Sequence, residues 1–198
     1  IGQCFKNRNI TFLILGDICT RSCKFCAIKK VSGNVKLALD KEEPQKIAQV
    51  VHQLKMRHVV ITSVTRDDLP DGGAEQFTRT VSFIKKQHPD VTVELLVPDF
   101  KLNMERLKQI ANCGADCIGH NIETVRRISF YLRSPVSYDR SLKVLQHIKI
   151  FNPRLILKSS IMLGLGETEK ELFEAMDDLR ECGCEILYLG QYLRPSER

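Results

Sequence analysis

Tryptophan is absent from the 198 residues, and aromatic residues supply only 7 % of them. A chain this poor in aromatic rings offers no evident platform on which nucleic-acid bases could stack. No run of eighteen apolar residues occurs, so no segment reads as a membrane span. The chain opens at Ile1 with no charged-then-apolar leader, which gives no sign of export. The net charge of +6 is scattered along helical segments. It reads as a solvated basic surface, with a docking face for an acidic protein as the lesser alternative.

What is present is cysteine, eight residues of it. Without a leader, the expected compartment is reducing: the cytoplasm, or the mitochondrion or plastid of a eukaryote. There, clustered cysteines serve as metal ligands or redox groups rather than disulfides. The length and 43 % hydrophobic content suit one domain spanning residues 1–198. The abrupt ending at "RPSER" suggests the core of a longer protein.

Strand-like and helix-like segments alternate. The strands are "ITFLILGD", "HVVITSV", "VTVELLVP", "DCIGHNI", "LILKSSIML" and "EILYLG". Between them lie amphipathic stretches such as "EEPQKIAQVVHQLKM", with Ile47, Val50, Val51 and Leu54 on one face. Gly114 and Gly183 sit where helices should end. This order predicts an α/β fold, an open, partial (β/α)6 barrel of parallel strands whose chemistry lies at the carboxyl ends of the strands.

Directly after the first strand, "GDICTRSCKFCAIKK" holds Cys19, Cys23 and Cys26. Structural zinc takes four ligands, usually in two C-x2-C pairs, and no second pair stands at that spacing on this face. A 4Fe–4S cluster also takes four ligands, and three thiolates leave one iron open to a small molecule. C-x3-C-x2-C after the first strand of a partial barrel resembles the radical S-adenosylmethionine (SAM) superfamily. The resemblance implies a cluster on Cys19, Cys23 and Cys26 whose open iron is chelated by SAM, with Phe25 shielding it. It further implies that Gly164 and Glu167 of "SSIMLGLGE" lie along the adenine, and that Asn121 and Glu123 of "HNIETV" meet the ribose. Two plainer readings stand beside these. Gly164 and Gly166 would turn the chain into a helix capped by Thr168, and Asn121 would cap the next helix. His120 is given no role.

"VVITSVTRDDLPDGGAEQF" resembles the signature of lipoyl synthases, as do "HNIETVRRI", "SYDRSL", "MLGLGETEKE" and "GQYLRPS". The resemblance covers essentially the whole chain and adds Ser63 to the cofactor-binding set. It implies insertion of two sulfurs at C6 and C8 of an octanoyl chain amide-linked to lysine on a lipoyl carrier domain or glycine-cleavage H protein. An electron donor such as ferredoxin or flavodoxin and an iron–sulfur carrier would be further partners. A second, auxiliary 4Fe–4S cluster would supply the sulfur. "IGQCF" matches the end of its cysteine motif, making Cys4 a ligand and residues 1–10 a remnant of that segment. The other ligands would lie outside the 198 residues, so the bare chain is not expected to complete sulfur insertion.

Cys113, Cys117, Cys182 and Cys184 fall at helix-to-strand connections, away from the reactive face, and read as small buried hydrophobes. In "LRSPVSY" the family often has Arg-Pro directly, which bears on the geometry at Arg133. The alternatives are a biotin-synthase-like enzyme and a non-catalytic metalloprotein whose cysteines hold zinc or pass electrons.

Overall fold

A computed structural model describes residues 2–31, 37–133 and 136–195, with Cys4 described by its backbone alone. A short helix α1 (Gly2–Lys6) leads into β1 (Asn9–Ile14), so Asn9 and Ile10, placed in the remnant by sequence, belong to the main sheet. The cysteine loop contains a two-residue parallel pair, β2 (Ile18–Cys19) and β3 (Lys29–Lys30). The chain continues through α2 (Glu43–Gln53), β4 (His58–Ser63), α3 (Ala74–Gln87), β5 (Thr92–Leu96) and α4 (Met104–Ala111). It ends through β6 (Cys117–Gly119), α5 (Arg126–Arg133), α6 (Tyr138–Phe151), β7 (Ile156–Leu163), α7 (Glu169–Glu181) and β8 (Ile186–Gln191).

Among the described residues, six strands form one sheet in the order β1-β4-β5-β6-β7-β8, every neighbouring pair parallel. β1 and β8 remain edges, so the barrel is open, as the strand–helix alternation predicts. Val59, Ile61, Val93, Leu95, Ile118, Leu157 and Ile161 are at most 1 % exposed and form the core against the helices. Their registers, Val59 opposite Val93 and Ile118 opposite Leu157, align these side chains on one face. Alternation turns Thr62, Leu96 and Lys158 to the other, inner face. There Lys158 pairs with Glu94 at 2.5 Å and lies over the Tyr188 ring. No helix among the described residues is long and apolar enough to cross a membrane.

The differences from the sequence reading are local. Helix α5 is not evident in the sequence because Phe130 and Tyr131 point outward, 74 % and 64 % exposed, and blur its apolar stripe. The fourth strand has three residues rather than seven, although Glu123 makes a later bridge to Ile161. Leu54 is 40 % exposed because α2 ends at Gln53, and Lys55 then takes a positive φ. The "PDGG" segment leads into α3. Asp71 accepts from the Gly73 and Glu75 amides at 3.0 and 2.8 Å. Gly73 has φ 90°, and a Cβ there would lie 2.3 Å from a Leu15 methyl, so glycine is required.

Candidate active site

The cysteine loop is held to the barrel mouth by buried polar contacts. Thr20 donates through its hydroxyl to Thr65 O (3.0 Å) and accepts from the Asp67 amide (2.9 Å). Arg21, between the first two cysteines of the motif, makes a two-pronged contact with Asp67 at 2.8 and 3.0 Å and reaches Asp99 at 2.6 Å. Asp99 is fully buried and also takes Arg140 from α6 at 3.2 Å. Burial alone would raise the Asp99 carboxyl, but the hydrogen bonds and charge of Arg21 outweigh it and hold the group down at about 2. Arg66 has a second task. Its guanidinium, 1 % exposed as a residue, makes a two-pronged contact with Asp68 at 2.8 Å and donates to Leu15 O and Leu37 O at 3.0 and 2.9 Å. The crowded "TRDD" therefore supplies two clamps, one on the cysteine loop and one on the segments flanking it.

Above the carboxyl ends of β1, β4, β5 and β6 lies a cavity of about 250 Å³. Cys19, Cys23, Cys26 and Phe25 form one wall, and Ser63, Asn121 and Glu123 also line it. The three thiols are half-buried and free of disulfides. Burial raises the Cys23 thiol, against the opposing charge of Arg133.

Other lining residues are polar. Ser63 Oγ is buried and has no hydrogen-bond partner. Glu123 stands at φ 67°, a left-handed conformation costing roughly 1–3 kcal/mol in a residue other than glycine, of a kind that collects at functional sites. It is fixed there because its amide donates to Ser160 O (3.0 Å) and its carbonyl accepts from Met162 N (2.8 Å). Burial pushes its carboxyl up, against the Arg133 charge and a hydrogen bond from Asn121. Asn121 does not cap a helix, since α5 begins only at Arg126. Arg133, 7 % exposed, donates to Ile122 O and Ser141 Oγ, both at 3.0 Å. Ser134 and Pro135 lie outside the described residues. Gly164 and Glu167, assigned to the adenine by resemblance, are not in the cavity lining. Glu167 accepts from the Gly164 and Leu165 amides at 2.6 and 2.8 Å, and Thr168 with Glu171 forms a capping box on α7.

His120 lines the same cavity with both ring nitrogens engaged, Nδ1 with Val97 O at 2.8 Å and Nε2 with Ser141 Oγ at 3.1 Å. Burial, then the Arg133 charge, push its pKa down from 6.5 to about 4. The imidazole is neutral in the fold at any pH above about 4, whereas the unfolded chain takes up the proton below its ordinary 6.5. Stability should therefore be lost as pH falls from 6.5 towards 4, by at most about 3 kcal/mol. The raised carboxyl of Glu123 opposes part of this, being more stable protonated in the fold. Urea unfolding across that window should show the slope in the wild type and a flatter one in His120→Gln.

Cys117 is buried, while Cys113, Cys182 and Cys184 are half-buried against the core rather than fully inside. Burial pushes the thiols of Cys113, Cys117 and Cys182 up to about 11 and raises that of Cys184, so all four are protonated at neutral pH. The side chain of Cys4 lies outside the described residues. Arg21 and Asp99 escaped the sequence reading, although each carried a signal: one is embedded in the cysteine motif and the other follows the third main strand at its carboxyl end.

The family profile of the Radical SAM superfamily matches residues 13–179. Methylornithine synthase (PylB) superposes with a TM-score of 0.71 at 15 % identity, over 97 % of this chain and 58 % of that one. Streptococcus suis SuiB bound to S-adenosylmethionine gives 0.71 at 10 % identity, over 99 % and 44 %. At such identities the likeness is one of fold. The open parallel barrel and its cysteine-walled mouth are thus those of a radical SAM protein.

Closer relatives narrow the class. The lipoyl synthase of Caldanaerobacter subterraneus subsp. tengcongensis is 50 % identical over 198 residues, covering 100 % of this chain and 68 % of its own. That of Symbiobacterium thermophilum is 50 % identical over 100 % of this chain and 61 % of its own, and that of Thermus thermophilus 49 % over 99 % and 60 %. The chain belongs to the lipoyl synthase family and spans between 60 % and 68 % of the length of these relatives. Membership implies a 4Fe–4S cluster and SAM. The residues present fit them: three thiols from one anchored loop line a cavity that also holds the unpartnered buried hydroxyl of Ser63.

Proposed function

We propose that this chain is the catalytic core of a sulfur-inserting enzyme that converts a protein-bound octanoyl-lysine into a lipoyl group. The observation that carries the proposal is the cavity itself, in which three thiols of one loop and a polar wall face a common space at the strand ends. When bound, a 4Fe–4S cluster with SAM supplies a 5'-deoxyadenosyl radical able to take hydrogen from an unactivated carbon, which no acid–base side chain can do.

The chain's own residues bind, orient and exclude. Cys19, Cys23 and Cys26 hold the cluster, and Arg21 with Asp67 and Asp99 fixes their loop. Phe25 shields the cysteine wall, while Ser63, Asn121 and Glu123 offer hydrogen bonds to the hydroxyls of SAM. Gly164 and Glu167 shape the neighbouring turn and act on the adenine through its backbone. Leu13, Ile28, Leu96, Val97 and Val136 add apolar surface to a lining that also holds Arg21, Asp99, His120 and Arg133, and that surface suits a saturated chain. Cys4 is assigned to the auxiliary cluster that donates sulfur, and residues 1–10 to the segment that holds it. The carrier is a lipoyl domain or H protein, served with electrons by a ferredoxin or flavodoxin and with iron and sulfur by a carrier, in the cytoplasm.

The test is mass measurement. An octanoylated carrier domain, incubated with SAM, reductant and the reconstituted protein at the full length of its relatives, should gain two sulfurs as the dithiol, and lose two hydrogens once that is oxidised to the cyclic disulfide. A carrier left unchanged while SAM is cleaved would remove the assignment.

A further inference from the structure

Beyond the ion cluster of Arg21, Asp67 and Asp99 lies a second, smaller cavity of about 100 Å³, lined by Leu69, Gly72, Phe100, Lys101 and Arg106 among others. Its floor is unusual backbone. Phe100, Lys101 and Leu102 stand at φ 44°, 52° and 59°, three successive residues other than glycine in the left-handed region. Each costs roughly 1–2 kcal/mol there, and only over-determined surroundings keep such a turn. Those surroundings are present. Asp99 accepts through its side chain from the Lys101 amide at 3.2 Å and through its carbonyl from the Leu102 amide at 2.8 Å. The Phe100 ring packs edge-on against Phe77 with centroids 6.2 Å apart.

The polar groups of this cavity are unbalanced in one direction. Its acceptors are engaged: Asp67 by Arg21, and Asp71 by the Gly73 and Glu75 amides. Of its donors, Lys101 Nζ reaches Asp67 O at 3.2 Å, but Arg106 does not share in this: its Nε is buried without a partner, and its guanidinium makes no ion pair among the described residues. A buried donor left unmade costs about 1–3 kcal/mol, recovered when an acceptor arrives. Lys101, with a side chain 63 % exposed, adds a second charge at 3.9 Å from the Asp67 carboxylate. Asn103 caps α4 by accepting from the Arg106 amide at 3.1 Å, so the positive end of that helix lies at the same place.

A cavity of about 100 Å³ has room for a carboxylate and its methylene. Asp67 lines it, Asp99 lines the main cavity, and Arg21 bonds to both aspartates, so the two cavities are neighbours. The chain's net charge of +6 favours acidic partners in general, and Lys101 and Arg106 bring positive charge to this cavity. We infer that this cavity is the docking socket for an aspartate or glutamate side chain of the acyl-carrying protein, with Arg106 as the fork that receives it and Lys101 as the supporting charge. The inference rests on the reading of function above.

Titrating an octanoylated carrier domain into the reconstituted protein by calorimetry tests it. Arg106→Gln should raise Kd about tenfold or more, and Arg106→Lys by less, because a point charge replaces a fork. Lys101→Gln, an independent variant, should raise Kd by a smaller factor, and Lys108→Gln, exposed on the same helix, should not change it. Free succinate should compete with the carrier on the wild type and not on Arg106→Gln. Equal Kd values for the wild type and Arg106→Gln would overturn the socket while leaving the reading of function intact, including the case in which succinate binds at Arg106 without displacing the carrier. A wild type that binds no octanoylated carrier would instead overturn that reading, and the socket's occupant with it.

Discussion

Cys23→Ala, reconstituted anaerobically, should lose reductive SAM cleavage on the order of a thousandfold or more, to the level of the protein-free reaction. The three thiols of the loop act as one unit, so the Cys19→Ala, Cys23→Ala double variant should be no worse than either single one. Each thiol lies on the same cavity wall, and two of three ligands cannot hold a cubane whose fourth corner is kept open for SAM. Cys117→Ala should retain the iron and the cleavage, because that thiol is buried and held protonated by its surroundings. Comparison of 5'-deoxyadenosine release across the wild type and the four variants is the measurement. Cleavage surviving in Cys23→Ala would remove the loop from the chemistry.

The largest effect on stability is expected at Arg66 rather than in the apolar core. Arg66→Met should destabilise the cluster-free protein by roughly 3–5 kcal/mol, because removing one partner leaves the other polar groups buried and unpaired. Methionine fills most of the volume but none of the hydrogen bonds. Asp68 loses the contact that holds its carboxyl below the usual carboxylate range, and the carbonyls of Leu15 and Leu37 lose their donor. A domain of this size has about 5–15 kcal/mol in total, so a sizeable share would go. The check is a urea midpoint shifted at unchanged slope. Asp68→Asn should cost less, since it keeps an acceptor for Arg66. An Arg66→Met protein as stable as the wild type would mean that the two segments flanking the cysteine loop are held by something else.

The sheet was legible in the sequence because its strands are short β-branched runs with almost no interior charge, a pattern that only buried parallel strands can use. The reactive end was legible because three cysteines at fixed spacing have few chemical uses. What sequence spacing could not reveal were pairings between distant residues. Arg21 meets Asp67 across 46 positions and Asp99 across 78. Helix α5 was hidden by two outward aromatic residues, and the socket at Arg106 depends on a left-handed turn that no residue type announces. "MLGLGE" allowed two readings. The turn into a helix capped by Thr168 is what the backbone adopts, with the Glu167 carboxylate taken by the Gly164 amide.

The most direct measurement is made on the wild-type chain, reconstituted without oxygen and reduced, with iron counted and low-temperature electron paramagnetic resonance recorded before and after SAM. About four irons should bind at the loop of Cys19, Cys23 and Cys26, and the spectrum should change on saturation with SAM, because one iron lacks a protein ligand. A colourless protein carrying a single zinc, or a cluster spectrum indifferent to SAM, would contradict the open coordination site on which the proposed chemistry depends.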